Sequence, residues 1–224
     1  MLDRSVLRWG GLAAMIGAVI GVIANLMHPR GDTFTVQGEL DLVAGSDIWL
    51  LDHFLIAWSL AFAFVGLIAI GWSFSEEVAQ GWGRIAAASA IGGIIVGYIT
   101  VAVDGMALEA VADAGGPAGE AVARISLALF TGLIGSLFGL TPVLYGIAGL
   151  SSPSYPKGLA YLALAGGVLG MLTSSIQFLS GPSAVVTNMM FVVASVAYTV
   201  WLFMSGLRLW KAPAAATSPA TARL

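Results

Sequence analysis

Cysteine is absent from this 224-residue chain, and histidine occurs only twice. Without thiols there is no disulfide, no thiolate metal ligand and no covalent c-type haem attachment. Charge is scarce too: 9% of residues are Asp, Glu, Lys or Arg, against 58% hydrophobic, whereas a soluble domain carries about a quarter charged residues. Such a chain belongs in lipid. Its few Lys and Arg are dispersed, which excludes nucleic acid as a partner. There is no H-E-x-x-H pair, phosphate-cradling glycine motif or G-x-S-x-G elbow, so the usual metalloprotease, nucleotide and serine-hydrolase chemistries have no anchor.

What the chain has instead is long apolar runs. No charge or histidine falls within 9–27, 54–75, 85–103, 125–156 or 158–207, and a bilayer core needs roughly 20 apolar residues per helix. The last run is long enough to cross twice, and "SGPSA" (180–184), with Gly181 and Pro182, divides it because both residues end helices. The fold class expected is all-α: a six-helix transmembrane bundle, with spans near 7–27, 48–74, 83–112, 121–150, 157–179 and 184–210. The runs do not alternate as barrel strands must. The first span follows Arg4 and Arg8, as a secretory signal would, but it is too long for an h-region and lacks a small-x-small cleavage site; it reads as a retained helix. Residues 1–211 form the transmembrane domain. The tail 212–224, small and Pro-containing, reads as disordered.

Orientation follows from the basic residues. Arg4, Arg8, Arg84, Lys157, Arg208, Lys211 and Arg223 fall at one end of the six spans, and Arg30 and Arg124 at the other. Cytoplasmic loops retain Lys and Arg, so both termini are expected in the cytoplasm, in the plasma membrane of a prokaryote. The acids run oppositely: Asp32, Glu39, Asp41, Asp47, Asp52, Asp104, Glu109, Asp113 and Glu120 lie toward the outside, where solvated loop acids are the ordinary explanation. The loop 29–47 contains "TFTVQGELDLVAG", amphipathic enough to fold onto the helix ends as a lid.

Arg8 and His28, Arg84 and Asp104, and Lys157 and Gln177 are each 20 positions apart, about 30 Å of helix. Either three helical hairpins repeat, or one membrane thickness sets the same spacing in unrelated helices. Gly17 and Gly21, Gly93 and Gly97, Gly135 and Gly139, and Gly166 and Gly170 are four apart, the spacing that lets membrane helices approach closely. Pro142 is expected to kink the fourth span, with Thr141 helping to satisfy the freed backbone.

Chemistry is expected at the outer level, where His28 ends the first span, His53 opens the second, and Asp104, Gln177, Thr187 and Asn188 arrive from the third, fifth and sixth. Asp52 suits a helix N-terminus, which also favours neutral imidazole at His53. Two readings of the pair stand open. His28, His53 and Asp104 ligate a transition-metal ion, or the two histidines are axial ligands of haem b, with Asp104, Gln177 and Asn188 lining the pocket. No charged residue lies at the bilayer centre of any span, which argues against a proton pump or voltage sensor. The partners implied are membrane lipids and, in an alternative reading, other subunits of a membrane complex that this chain would join as a non-catalytic accessory. A third reading is a carrier of an uncharged lipid-like ligand. No reaction is assigned.

Overall fold

The computed structural model describes residues 3–30, 35–181 and 185–211; the tail 212–224 lies outside them. Every element among the described residues is helical. Six helices are long and apolar enough to cross a membrane: α1 (Arg4–Met27), α3 (Trp49–Trp72), α4 (Glu77–Ala112), α5 (Gly116–Ser151), α6 (Lys157–Ser180) and α7, which runs over Val185–Lys211. A short helix, α2 (Val36–Ala44), lies between the first two spans. The chain is a multi-pass membrane protein with an all-α six-helix bundle.

The spans close into a ring in chain order: α1 packs on α3, α3 on α4, α4 on α5, α5 on α6, α6 on α7, and α7 back on α1. Contacts run between successive hairpins as well as within them, so three independent hairpin units do not stand out. Small residues set the approach. A Cβ at Gly17 would sit 2.6 Å from the Ala63 backbone nitrogen, and one at Gly170 would sit 2.5 Å from the Phe138 carbonyl oxygen. In lipid no hydrophobic drive exists between helices, so close van der Waals contact across such seams holds the ring together. Where the spans face outward they present apolar side chains such as Ile95, Leu172 and Val193, a surface that fits acyl chains.

The Arg-rich end is tied by aromatic and hydrogen-bond contacts. Arg8 stacks over Trp210, Arg84 over Trp72 and Arg208 over Tyr155. Tyr155 Oη also accepts from Trp201 Nε1 at 3.0 Å and pairs with Ser205 Oγ. Tyr145, fully buried, donates to the Leu67 carbonyl at 2.6 Å.

Both 36-residue helices, about 54 Å long at 1.5 Å per residue, outreach the hydrocarbon core. Each contains a π-helical turn, Ala102–Ala107 in α4 and Ile134–Leu140 in α5, the local widening that often accompanies function. The second ends just before Thr141 and Pro142, so the proline's missing donor follows an irregular turn. Thr141 Oγ1 is 3.0 Å from Ser89 Oγ on α4; this helix–helix bond, rather than the expected service to freed backbone, is its recorded role.

Candidate functional site

At the end of the ring opposite Arg8, Arg84 and Arg208, α1 stops because Pro29 cannot continue it, leaving His28 as its cap. The His28 backbone N–H donates to the Ala24 carbonyl. Helix α3 begins beside it with Trp49, Asp52 and His53, positions i, i+3 and i+4, which share one face. All three are buried. The α4 π turn supplies Asp104 and Gly105.

These residues meet. His28 Nδ1 lies 2.5 Å from Asp52 Oδ2, and His53 Nε2 lies 3.1 Å from Asp104 Oδ2. His53 Nδ1 is 2.9 Å from the Trp49 carbonyl, and Trp49 Nε1 donates to the Asp104 carbonyl at 3.0 Å. A carbonyl only accepts, so His53 Nδ1 carries a hydrogen. Its Nε2 therefore faces a carboxylate across a shared proton, held by one atom or the other. The rings of His28 and His53 are 5.7 Å apart and both lean on Trp49, at 5.4 and 4.5 Å. Gly105 is required here: a Cβ would come within 2.7 Å of His53 Cβ.

Exposure grades inward. The His28 side chain is 36% exposed, Asp104 19%, His53 4% and Asp52 0%, so His28 forms the entrance. Beyond the two pairs, three buried carboxyl oxygens have no hydrogen-bond partner among the described residues: Asp52 Oδ1, Asp104 Oδ1 and Glu39 Oε2. Buried polar atoms are nearly always paired, and the orphans on Asp52 and Asp104, whose other oxygens already meet the imidazoles, point to something cationic that they can hold.

No family model, curated protein or solved structure matches the chain. Function is therefore read from the site itself.

Glu39 is the residue the sequence reading placed among solvated loop acids; the structure buries it to 6% exposure on the underside of α2. The signal was present. Val36, Glu39, Leu40 and Val43 fall at i, i+3, i+4 and i+7, so Glu39 shares the stripe that packs α2 against the end of α4 and the start of α5. Asp52 was read as a match for the helix dipole, and Trp49 as part of an aromatic belt. The first is also the partner of His28, and the second packs against both imidazoles.

Burial, and behind it the negative charge of Asp104, push the Glu39 carboxyl up to about 8. Its folded-state value exceeds the ordinary glutamate value, so the folded chain holds a proton there that the unfolded chain has lost. Stability from this group is thus complete below the ordinary glutamate range and is lost as pH rises toward and through about 8. In metal-free protein, amides of α2 are expected to exchange hydrogen faster at pH 9 than at pH 6 beyond the intrinsic rate change. Glu39→Gln should abolish that extra acceleration; an unchanged pH response in the variant would refute the assignment.

Gln177 and Asn188 stand apart. Gln177 is buried, but its side-chain oxygen faces Thr131 Oγ1 at 3.4 Å, in a separate pocket with Arg124. Asn188 is half-buried on α7, and among the described hydrogen bonds neither residue joins the histidine network. Among the described residues no three His, Asp or Glu side chains already surround one point as a metal would require. The two ion-paired arms, His28–Asp52 and His53–Asp104, hold their donors against each other instead. What the arrangement can do chemically is hold protons between imidazole and carboxylate, or exchange them for another cation.

Proposed function

We propose that this membrane protein binds a divalent transition-metal ion at the acidic end of its bundle, through His28, His53 and Asp104 with Asp52 as a fourth donor. The observation that carries this reading is the two orphaned, buried carboxylate oxygens, Asp52 Oδ1 and Asp104 Oδ1, on the same carboxyls that meet the two imidazoles. A dication would partner them and displace the protons now shared within each pair. Mixed imidazole and carboxylate donors suit zinc, iron, manganese or copper, and cysteine is absent from the softer alternatives. Haem is the weaker fit: Trp49 leans on both imidazoles, at 5.4 and 4.5 Å, where a macrocycle between an axial pair would need room. Entry is past His28, the most exposed donor.

The seven-to-two division of basic residues supports placing both termini in the cytoplasm and the site outside, in a prokaryotic plasma membrane. The four glycine pairs pack within the ring, so they are not the docking face that the accessory-subunit reading needs.

Titrating the purified protein with Co²⁺ and Zn²⁺ tests the proposal. One saturable equivalent is expected, with the visible cobalt bands of bound imidazole, and His28→Ala with His53→Ala should weaken binding by at least about 100-fold. Absence of saturable binding by any first-row dication, or binding indifferent to both substitutions, would overturn it.

A further inference from the structure

A second pocket lies on the same end of the molecule, outside the histidine network. On α5, Arg124, Leu127, Ala128 and Thr131 fall at i, i+3, i+4 and i+7, one continuous helix face. They line a cavity of about 430 Å³ with Gln177 and Phe178 from the last turn of α6 and Val36 from α2, a volume within the ordinary ligand-site range of about 300–1,000 Å³. The lining is graded. Arg124 stands at the exposed rim, where Glu120 is its one ion-pair partner among the described residues, at 3.8 Å and open to solvent. Deeper in, Gln177 is 4% exposed. Its oxygen accepts from Thr131 at 3.4 Å, while its amide nitrogen carries no hydrogen bond among those described. The remaining wall is apolar, and Phe178 beyond it is 84% exposed, on the side where lipid would lie.

We infer that this pocket holds a phospholipid of the surrounding bilayer, with the phosphate on Arg124, a glycerol-ester carbonyl on the Gln177 amide, and the start of an acyl chain against Leu127, Ala128 and Phe178. The chemistry selects this occupant in three steps. A guanidinium at an interfacial rim matches a phosphate in fork geometry. An amide in the pocket wall, its nitrogen without a hydrogen bond among those described, can donate to an acceptor about as deep as an ester lies below its phosphate, whereas a fatty acid has only its terminal carboxylate to offer. The pocket opens from spanning helices at their outer ends, where headgroups meet the hydrocarbon, so no soluble ligand need leave water to reach it. The inference is independent of the metal reading, since none of these residues belongs to the histidine network.

Native mass spectrometry of the full chain released from nanodiscs tests it, counting molecules retained after mild activation. With phosphatidylglycerol, diacylglycerol and oleate offered together, one phosphatidylglycerol should remain, at least about tenfold over either competitor, as loss of a charge-assisted contact implies. Arg124→Gln, at an exposed position, and Gln177→Leu, which keeps the apolar volume, should each cut retention by about tenfold, with helical content and melting unchanged. Ala128→Trp, filling the pocket, should remove the retained lipid. Retention of diacylglycerol or oleate equal to that of phosphatidylglycerol would overturn the inference, as would phosphatidylglycerol retention untouched by Arg124→Gln and Gln177→Leu in folded protein.

Discussion

His53→Ala destabilises the bundle by about 3 kcal/mol, the cost expected when one partner of a buried ion pair is removed and the other is left behind. Asp104 would lose its one side-chain partner among the described residues while staying largely covered, with neither oxygen paired among them. The imidazole also fills space between Trp49 and Gly105, so a cavity adds to the electrostatic loss. The double variant His53→Leu with Asp104→Leu should recover much of that loss, since removing both partners leaves no stranded charge. Thermal or denaturant unfolding in detergent gives the cycle. If the double variant is as unstable as the sum of the singles, with no coupling between the sites, the ion pair described here does not exist in the protein.

Gly170→Leu is expected to have an effect of similar size by a different route. Its Cβ would meet the Phe138 carbonyl oxygen at 2.5 Å and carbon at 2.8 Å. Those are backbone atoms, so no side-chain rotation relieves the clash, and α6 must move off α5 along the π turn Ile134–Leu140. Overpacking in a tight seam typically costs about 1–3 kcal/mol and sometimes more, and the seam here has no hydrophobic drive to re-form it. Gly92→Leu is the control, because nothing lies within 4 Å of its added Cβ. A large fall in melting temperature for the first and almost none for the second is the expected pair of results. Equal melting temperatures would mean that the two helices do not meet as described.

The spans were legible because the bilayer imposes a length and a polarity that few other environments do: the apolar interval 54–75 and the helix Trp49–Trp72 differ only where polar end residues cap the run. The level of the histidines was legible for the same reason. Counting residues from one interface to the other places His28, His53 and Asp104 at one depth. Depth does not give azimuth, and there the reading ran out. Gln177 shares the depth but faces Thr131 and the Arg124 pocket, because only the order of helices round the ring decides which side chains meet. Glu39 was missed for a different reason. An acid in a loop is solvated by default, and its burial depends on the nine-residue α2 docking across α4 and α5, a tertiary event that the local pattern Val36, Glu39, Leu40, Val43 foreshadows but does not enforce. The π turn at Ala102–Ala107, which carries Asp104, left no signal of its own in the sequence.

X-ray absorption at the edge of the bound metal, recorded on the purified full chain, measures the central claim directly. Expected is a first shell of light atoms at about 2.0–2.1 Å with the outer-shell multiple scattering of two imidazole rings, reduced to one ring by His28→Ala. A shell of oxygens alone, with no imidazole scattering in the native protein, would contradict it.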